Sequence, residues 1–392
     1  MTGIDVRTES ESRALTGSKW SRDPDDVLPG WVADMDLVPP AVARDAVAEI
    51  ALLGDFGYSR HHNEQLVEQF CAWQTSQHGW SPDPAELVIF NDVLHAIAQS
   101  IHLMTDPGDG IALLTPIYPP FLKALDGGFR RFVDVPLDPN GWRLDPDRLA
   151  AAIDDRTSAV LICNPHNPTG RVFDAEERAA IARVVVDNDL LLISDEVWGD
   201  LLHPGPAHGP MANLAADGDP ELGREVAART ITISSASKSF NLAGLRCAIA
   251  HVGSKRLARR LAALPPHSLG AVGTTGAAAA VACWRDGHDW LSTTRSFLTD
   301  RRDQLAKRLA DDLPEVGYQV PEATYLAWLD VSAYELGPDP SQWLIEHAKV
   351  ALSPGNDFGP GGQGFVRLNT ATSPELLDQI IDRIADAVAA RR

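Results

Sequence analysis

The sequence predicts an α/β fold in which helices sandwich a mostly parallel β-sheet, with a smaller α+β domain beside it. Between residues 86 and 253, apolar segments of strand length alternate with helical patterns, and several are apolar at successive positions. Strands buried on both faces have this composition, and they belong to parallel sheets covered by helices. The predicted strands are 87–90, 110–116, 159–164, 190–196, 230–235 and 247–253.

The flanking segments complete the predicted organisation. A chain of 392 residues exceeds one core of ordinary size, so two domains are expected. We assign 1–45 to an N-terminal arm that is part of the small domain, 46–290 to the large domain and 291–392 to the small C-terminal domain. The first ten residues are polar enough to predict disorder. In chain order, the remaining expected elements are an extended arm at 19–40 that prolines and glycines keep free of helix, helices at 39–54 and 62–78, a helix at 291–311, strands at 325–330 and 365–369, and a helix at 373–391.

Composition narrows the possible partners. The net charge of −20 disfavours a nucleic-acid surface, because phosphate backbones require clustered Lys and Arg. Four cysteines without CxxC spacing, and no apolar run of about 18 residues, favour a cytoplasmic protein with no membrane partner. The twelve histidines show no HExxH spacing, so no metal is expected, and neither GxGxxG after a strand nor GxSxG is present.

Lys238 is the first candidate for chemistry. It lies in "SSASKSFNLAGLR", directly after a predicted buried strand, and ligands bind at the carboxyl ends of such strands. A lysine amine can form a Schiff base with an aldehyde cofactor. Taken alone, a lysine at such a position is more often part of a polar surface turn.

Two further strand ends carry polar residues. Asp195 ends the predicted strand 190–196, and a buried carboxylate there requires a cationic or hydrogen-bonding partner, such as a protonated pyridine nitrogen. The alternative is an aspartate that caps the next helix. Asn167 lies in "NPHNPTG", a rigid turn whose amide could reach a phenolic oxygen or a carboxylate, unless the turn binds no ligand.

Two arginines are candidate anion ligands. Arg246 follows Lys238 by eight positions, and Arg367 lies on the predicted strand "GFVRLN". Arginine binds phosphate or carboxylate through two parallel N–H bonds, although each could instead form a structural ion pair. Backbone donors for an anion could come from the helix that begins near Asp92 and Val93.

Taken together, these motifs resemble fold-type I pyridoxal-phosphate (PLP) enzymes of the class I/II aminotransferase superfamily. "SASK" with an arginine eight residues later, an Asp at an earlier strand end and "NPHNPTG" upstream match that family in order and spacing. The segments "LPGWVADMDLVPP", "TPIYPPF", "SDEVWGDL", "ATYLAWLD" and "GFVRLN" are similar to the cystathionine β-lyase (PatB/MalY) branch, which includes C–S lyases. The resemblance spans about residues 18–385.

The resemblance implies roles for individual residues. Lys238 would hold PLP as a Schiff base and move the Cα proton, and Asp195 would pair with the pyridinium nitrogen. Asn167 would bond the phenolic oxygen, Tyr118 would stack on the ring, and Arg367 would bind the substrate α-carboxylate. The phosphate would be held by Ser235, Ser237, Arg246 and the backbone at Asp92 and Val93, and by Tyr58 of a second subunit in a homodimer. Trp31 and Asp34 would lie on the substrate side.

Four positions depart from the family pattern. Asn91 and Asp92 occupy phosphate-loop positions that are often small, and an aspartate there is unfavourable unless its side chain turns to cap the helix. Trp198 stands where many aminotransferases have a tyrosine that bonds the phenolic oxygen, and Pro119 replaces an aromatic residue of some C–S lyases.

The expected reaction is β-elimination from cystathionine or a related cysteine S-conjugate, which releases a thiol, pyruvate and ammonia. An aminotransferase using the same residues is the first alternative, and a PLP-binding regulatory protein is the second.

Overall fold

The computed structural model describes residues 4–58, 60–265 and 268–391. Its strands are β1 (Leu28–Pro29), β2 (Leu87–Phe90), β3 (Gly110–Thr115), β4 (Arg131–Pro136), β5 (Thr157–Cys163), β6 (Leu191–Asp195), β7 (Thr230–Ser234), β8 (Ala248–Val252), β9 (Gly317–Tyr318), β10 (Leu326–Asp330), β11 (Val350–Ala351), β12 (Ser353–Pro354) and β13 (Phe365–Asn369). Its α-helices are α1 (Glu9–Arg13), α2 (Ser18–Ser21), α3 (Ala41–Leu53), α4 (Arg60–His78), α5 (Val93–Met104), α6 (Pro119–Gly127), α7 (Pro146–Ala152), α8 (Ala175–Asp187), α9 (Pro220–Ala227), α10 (Ala236–Ser239), α11 (Lys255–Ala262), α12 (Thr274–Asp286), α13 (His288–Asp312), α14 (Pro340–His347) and α15 (Pro374–Arg391).

The largest sheet has the strand order β2-β8-β7-β6-β5-β3-β4. Strands β3 to β7 run parallel to one another, which confirms the predicted α/β class. Strand β8 is antiparallel to both β7 and β2. The connection from β7 to β8 contains only the four-residue helix α10 and a 3-10 turn, so it lacks the longer helix that usually crosses between parallel strands.

One edge strand of this sheet was missing from the sequence prediction. Strand β4 pairs with β3, and its side chains alternate between exposed and buried positions. An edge strand with one solvated face does not produce an apolar run, so the criterion that found the central strands could not find it.

Both faces of the sheet are buried, as the apolar runs predicted. Along β5, Ala159, Leu161 and Cys163 contribute to one hydrophobic core, whereas Val160 and Ile162 contribute to the core on the opposite face. This alternation follows from the two-residue repeat of a strand. The two cores fix the sheet between helix layers and thereby fix the positions of its strand ends.

A second sheet, which is antiparallel and has the order β12-β13-β10-β9, packs with α13 and α15 around a third core. The arm joins this part of the chain through β1, which pairs in parallel with β11. The predicted helices at 291–311 and 373–391 and strands at 325–330 and 365–369 are confirmed as α13, α15, β10 and β13. The domain boundaries at residues 45 and 290 stay a prediction.

The arm differs from its prediction in two short helices. Helix α1 begins within the segment expected to be disordered and extends beyond it, and a capping box between Thr8 and Glu11 begins the helix. Helix α2 lies at the start of the segment expected to be extended, where Lys19 and Trp20 both bond the buried carboxylate of Asp36. Long-range contacts therefore stabilise a turn that propensity does not predict. Within the described residues, no helix has the length and apolar character needed to cross a membrane.

Candidate active site

A single cavity at the carboxyl ends of the central strands brings together most of the predicted site residues. Asn167 follows β5, Asp195 ends β6, Lys238 follows β7 and Tyr118 follows β3. Because parallel strands end at one edge of the sheet, residues distant in sequence meet there. The cavity is lined by Ala33, Asp92, Val93, Leu94, Tyr118, Asn167, Asp195, Val197, Trp198, Ser235, Ser237, Lys238, Ala243, Arg246 and Cys247.

Lys238 is held in the one-turn helix α10. The Ser235 hydroxyl accepts the N–H of Ser237 (3.0 Å), which caps the helix, and donates to the carbonyl of Cys247 (2.5 Å). The Lys238 amine donates to the carbonyl oxygen of Ala33 in the arm (2.8 Å). Burial lowers the pKa of Lys238, so the neutral amine is more abundant than in a lysine exposed to water.

Asp195 is a buried carboxylate without a cationic partner in contact. One oxygen accepts the backbone N–H of Val197 (3.1 Å), and the Cys163 thiol lies 3.9 Å from the other. Burial raises the pKa of Asp195 to about 7. No Lys, Arg or His among the described residues forms an ion pair with this carboxylate. A cation in the cavity would therefore stabilise its charged form strongly.

Arg367 presents the opposite situation, a buried guanidinium without a carboxylate. It is 5% exposed and donates to the amide oxygen of Asn167 (2.9 Å), the carbonyl of Trp31 (3.0 Å) and the hydroxyl of Ser353 (3.2 Å). Burial lowers the pKa of Arg367 to about 10. The Arg367 Nε has no partner in the described part of the chain. The guanidinium is thus oriented by neutral acceptors and still lacks an anion.

The N-terminus of α5 and Arg246 border the cavity as a possible phosphate cradle. Asp92 caps α5 by accepting the N–H of His95 (2.8 Å), as its departure from the family pattern required. Its second oxygen pairs with Arg246 (2.9 Å), so an incoming phosphate would share this arginine with Asp92. The next helical N–H groups, at Val93 and Leu94, remain for an anion.

The other departures have structural counterparts. Trp198 is 2% exposed and lines the cavity, with the Lys238 amine 5.8 Å from its ring centroid. The indole N–H of Trp198 has no acceptor among the described residues, whereas the tyrosine that many aminotransferases have at this position would offer a hydroxyl. Pro119 begins α6 directly after Tyr118, where a missing N–H costs no helical bond. The amide oxygen of Asn91 is buried and lacks a partner within the described ranges.

Four predicted residues are not among those that line the cavity: Arg367, described above, and Trp31, Asp34 and Tyr58. The carbonyl of Trp31 binds Arg367, but its indole packs under the Arg22 guanidinium, 3.8 Å from the ring centroid. Asp34 raises the pKa of Lys238 through its charge, against the effect of burial. Tyr58 is 97% exposed and borders a separate open depression. The prediction placed Tyr58 in the site of a second subunit, which a single chain does not test.

Three residues in the hydrogen-bond network around Lys238 and Arg367 had no predicted role. Ser353 reaches Arg367 because β12 pairs with β13, an arrangement that no local motif in the sequence announces. Ala33 offers only its backbone carbonyl, which any residue type could offer. Tyr325 lies within "ATYLAWLD", so the segment was singled out while its tyrosine was given no role, and its hydroxyl donates to Ala33 (2.9 Å).

The residues present fit pyridoxal phosphate. The cavity offers one amine for an aldehyde, one buried carboxylate without a cation for a ring nitrogen, and an arginine with open helix N–H groups for a phosphate. The three features lie around one space rather than on separate surfaces.

Comparisons with known proteins show the family to which the chain belongs. The family model for "Aminotransferase class I and II" matches residues 33–384. The chain belongs to this family. It is 31% identical to cystathionine beta-lyase PatB of Bacillus subtilis over 93% of both chains. A protein from Corynebacterium diphtheriae, described as a candidate PLP-dependent beta-cystathionase, superposes with a TM-score of 0.92 at 29% identity and 99% coverage of both chains. The PLP-bound C-S lyase from Staphylococcus hominis gives 0.90 at 27% identity, again over 99% of each.

As a class I/II aminotransferase family member, the chain resembles lyases and aminotransferases alike. It is also 30% identical to aspartate aminotransferase of Geobacillus stearothermophilus, over 84% of this chain and 81% of that one. The family therefore establishes the fold, and the reaction must be argued from the branch and from the geometry of the site.

Proposed function

We propose that this chain is a PLP-dependent C–S β-lyase that cleaves cystathionine or a related cysteine S-conjugate into a thiol, pyruvate and ammonia. The observation that carries the proposal is that two buried groups line one cavity: the amine of Lys238 and the carboxylate of Asp195, which forms no ion pair among the described residues. Relatives named as cystathionine β-lyases, which align over nearly the whole chain, support the lyase reaction.

Different cavity residues would bind different parts of the cofactor. Lys238 would bind its aldehyde carbon and Asp195 its ring nitrogen, while the amide nitrogen of Asn167 is free to donate to the phenolic oxygen because Arg367 uses the amide oxygen. Tyr118 would cover the ring. The phosphate would be held by Ser235, Ser237, Arg246 and the backbone of Asp92 and Val93. When bound, the cofactor supplies an electron sink for charge that develops at the substrate Cα.

Arg367 would bind the α-carboxylate of the amino-acid substrate. Its charge is buried and oriented by three neutral acceptors, so a carboxylate would supply the missing counter-ion. Asp34 and Trp31 belong to the arm beside this guanidinium, and we propose that they face the rest of the substrate.

Lys238 would then carry the proton chemistry. A general base must be neutral to accept a proton, and burial lowers the pKa of Lys238 in that direction. Lys238 would remove the proton from the substrate Cα, and the thiol would leave from Cβ. An aminotransferase would use the same lysine to return the proton to the cofactor, so the two reactions differ in the fate of the Cβ substituent.

The decisive experiment mixes the holoenzyme with cystathionine and measures pyruvate and free thiol in parallel. Equal amounts of both products, absent with Lys238→Ala, are expected. A panel of cysteine S-conjugates would identify the preferred substrate. Transfer of the amino group to the cofactor without thiol release would identify an aminotransferase. Absence of both reactions across the panel would reject catalysis and favour a regulatory role.

We further propose a homodimer in which Tyr58 reaches the phosphate bound by the other subunit. Support comes from the cluster of exposed side chains around it: Leu52, Leu53, Phe56 and Tyr58 are all at least 72% exposed. Large apolar side chains grouped in this way are typical of a subunit interface. Mixing inactive Lys238→Ala with a Tyr58→Ala variant should restore activity through hybrid dimers, and a monomer by sedimentation would contradict the proposal.

The four cysteines are free, and three of them are buried. Free thiols are typical of proteins from reducing compartments, and we propose the cytoplasm as the location on that ground.

A further inference from the structure

The carbonyl oxygen of Ala33 accepts two hydrogen bonds at the centre of the site. The Lys238 amine donates to it at 2.8 Å, and the Tyr325 hydroxyl donates to it at 2.9 Å. Tyr325 is 2% exposed and Ala33 is 8% exposed, so water does not compete for this oxygen freely. The tyrosine and the lysine therefore share one acceptor in a low-dielectric environment, where hydrogen bonds influence each other strongly.

The structure holds Tyr325 in place from several directions. Its ring packs edge-on against Trp198, with the centroids 5.0 Å apart, and Trp198 also faces the Lys238 amine. Its backbone carbonyl accepts both the N–H (2.9 Å) and the hydroxyl (3.1 Å) of Thr370. Burial raises the pKa of Tyr325 well above its ordinary value, so the hydroxyl stays protonated and remains a donor.

The residue before Tyr325 carries backbone strain. Thr324 has φ of 72°, a left-handed conformation that is unfavourable for a β-branched residue. Its N–H donates to the carbonyl of Leu201 (2.7 Å), and its hydroxyl accepts the N–H of Leu326 (3.1 Å). Strain of this kind persists only where surrounding contacts maintain it, and these two bonds hold the backbone directly before Tyr325.

We propose that Tyr325 is a positioning residue that keeps the Lys238 amine neutral by competing with it for the carbonyl oxygen of Ala33. An ammonium donates more strongly to a carbonyl than a neutral amine does. A second donor withdraws electron density from the oxygen and weakens that bond, so the neutral amine is favoured. The inference rests on the proposed function, in which Lys238 must be neutral to remove the Cα proton.

Other charged groups also act on Lys238, and the test must leave them in place. Asp34 in the arm and Asp195 at the end of β6 favour the ammonium, whereas Arg367 on β13 and Arg246 beyond α10 oppose it. Replacing Tyr325 with Phe changes none of these charges and retains the ring that packs against Trp198. Tyr318→Phe is the matched control, because the Tyr318 hydroxyl is buried and has no partner in the described residues.

The first measurement uses the full-length apoprotein. Lysines are labelled competitively with isotope-coded acetic anhydride across a pH series, and mass spectrometry follows the peptide that contains Lys238. In Tyr325→Phe, the midpoint of Lys238 reactivity should rise by about 0.1–0.7 pH units, because losing the second donor strengthens an existing charge-assisted bond by about 10–30%. In Tyr318→Phe it should not move. An unchanged or lowered midpoint in Tyr325→Phe would overturn the proposal.

The second measurement uses the holoenzyme with cystathionine. For Tyr325→Phe, the acidic limb of the kcat profile should move to higher pH by the same amount, so activity lost near neutral pH returns at alkaline pH while KM changes little. A uniform loss at every pH would indicate a merely structural role and reject the proposal. If the wild type releases no pyruvate, the lyase function fails, yet the labelling result still decides the role of Tyr325.

A second variant guards against misfolding of Tyr325→Phe. Thr324→Gly keeps the tyrosine hydroxyl but removes the conformational constraint on the backbone directly before it, and glycine adopts positive φ readily. We expect a smaller rise of the Lys238 midpoint in the same direction. No rise in either variant, with circular dichroism showing both folded, would contradict the proposal.

Discussion

Arg367 offers the sharpest test of how this site recognises its substrate. The guanidinium is buried, and its three neighbours, Asn167, Trp31 and Ser353, are neutral acceptors. Removal of one partner from a buried, hydrogen-bonded charge pair costs about 2–5 kcal/mol. For Arg367→Ala this corresponds to a loss of about 30-fold to 5000-fold in kcat/KM, at about 1.4 kcal/mol per tenfold change.

The assay should compare two substrates with two enzymes. Cystathionine and its analogue with an amide in place of the α-carboxylate next to the scissile side are tested with the wild type and with Arg367→Ala. The wild type should prefer the carboxylate substrate strongly. The variant should lose most of that preference, because the substrate carboxylate no longer has the Arg367 guanidinium as its partner. Non-additivity of the two changes isolates the pair from other effects.

Two controls frame the result. Ser353→Ala removes one neutral acceptor of the guanidinium and should reduce kcat/KM only a few-fold. Arg285→Ala removes an exposed arginine that pairs with Asp286 and should have no measurable effect on kcat/KM. If Arg367→Ala discriminates between carboxylate and amide as well as the wild type does, Arg367 does not bind the α-carboxylate.

The remaining predictions concern the lysine, the carboxylate and the arm. Lys238→Ala should abolish the visible absorption of the covalently bound cofactor and all turnover, and covalent labelling of another lysine after borohydride reduction would contradict this. Because the pKa of Asp195 is raised to about 7, the cofactor-free protein should lose stability as pH rises from about 4 to 7, by at most about 4 kcal/mol, whereas melting of Asp195→Asn should lack this dependence. Lys19→Met should cost about 3–5 kcal/mol in urea unfolding, because it leaves the buried Asp36 carboxylate without its cation; a smaller loss when Asp36→Leu is added would confirm that reason.

The central part of the site was predictable because its residues follow buried parallel strands. Asn167, Asp195 and Lys238 each come at or just after an apolar run, and the carboxyl ends of such runs meet at one edge. Burial on both faces makes these strands visible in sequence. Tyr118 likewise follows an apolar run, the one that forms β3. The apolar runs therefore account for the position of all four of these residues in the cavity.

The contacts made by the arm were not predictable by the same reasoning. Lys238 and Ala33 are 205 positions apart, and Arg367 and Trp31 are 336 apart. These contacts use backbone carbonyl groups, which carry no residue signature, and they depend on how the small sheet packs against the large one. Short helix α2 was missed for a related reason, since its turn is fixed by a carboxylate that lies far along the chain.

Asp195 and Arg367 are both buried, and each lacks an ion-pair partner among the described residues. Asp195 lacks a cation and Arg367 lacks an anion, yet the two are not paired with one another. An ion pair between them would satisfy both and leave neither available. In the proposed function, Asp195 binds a cationic ring and Arg367 binds a carboxylate, so cofactor and substrate together would supply both missing partners. Because charge left unpaired in a low-dielectric site is costly, the protein gives up some stability in the free state. That cost is recovered when ligand binds, and the predicted loss of stability above pH 4 should therefore disappear once the cofactor is added.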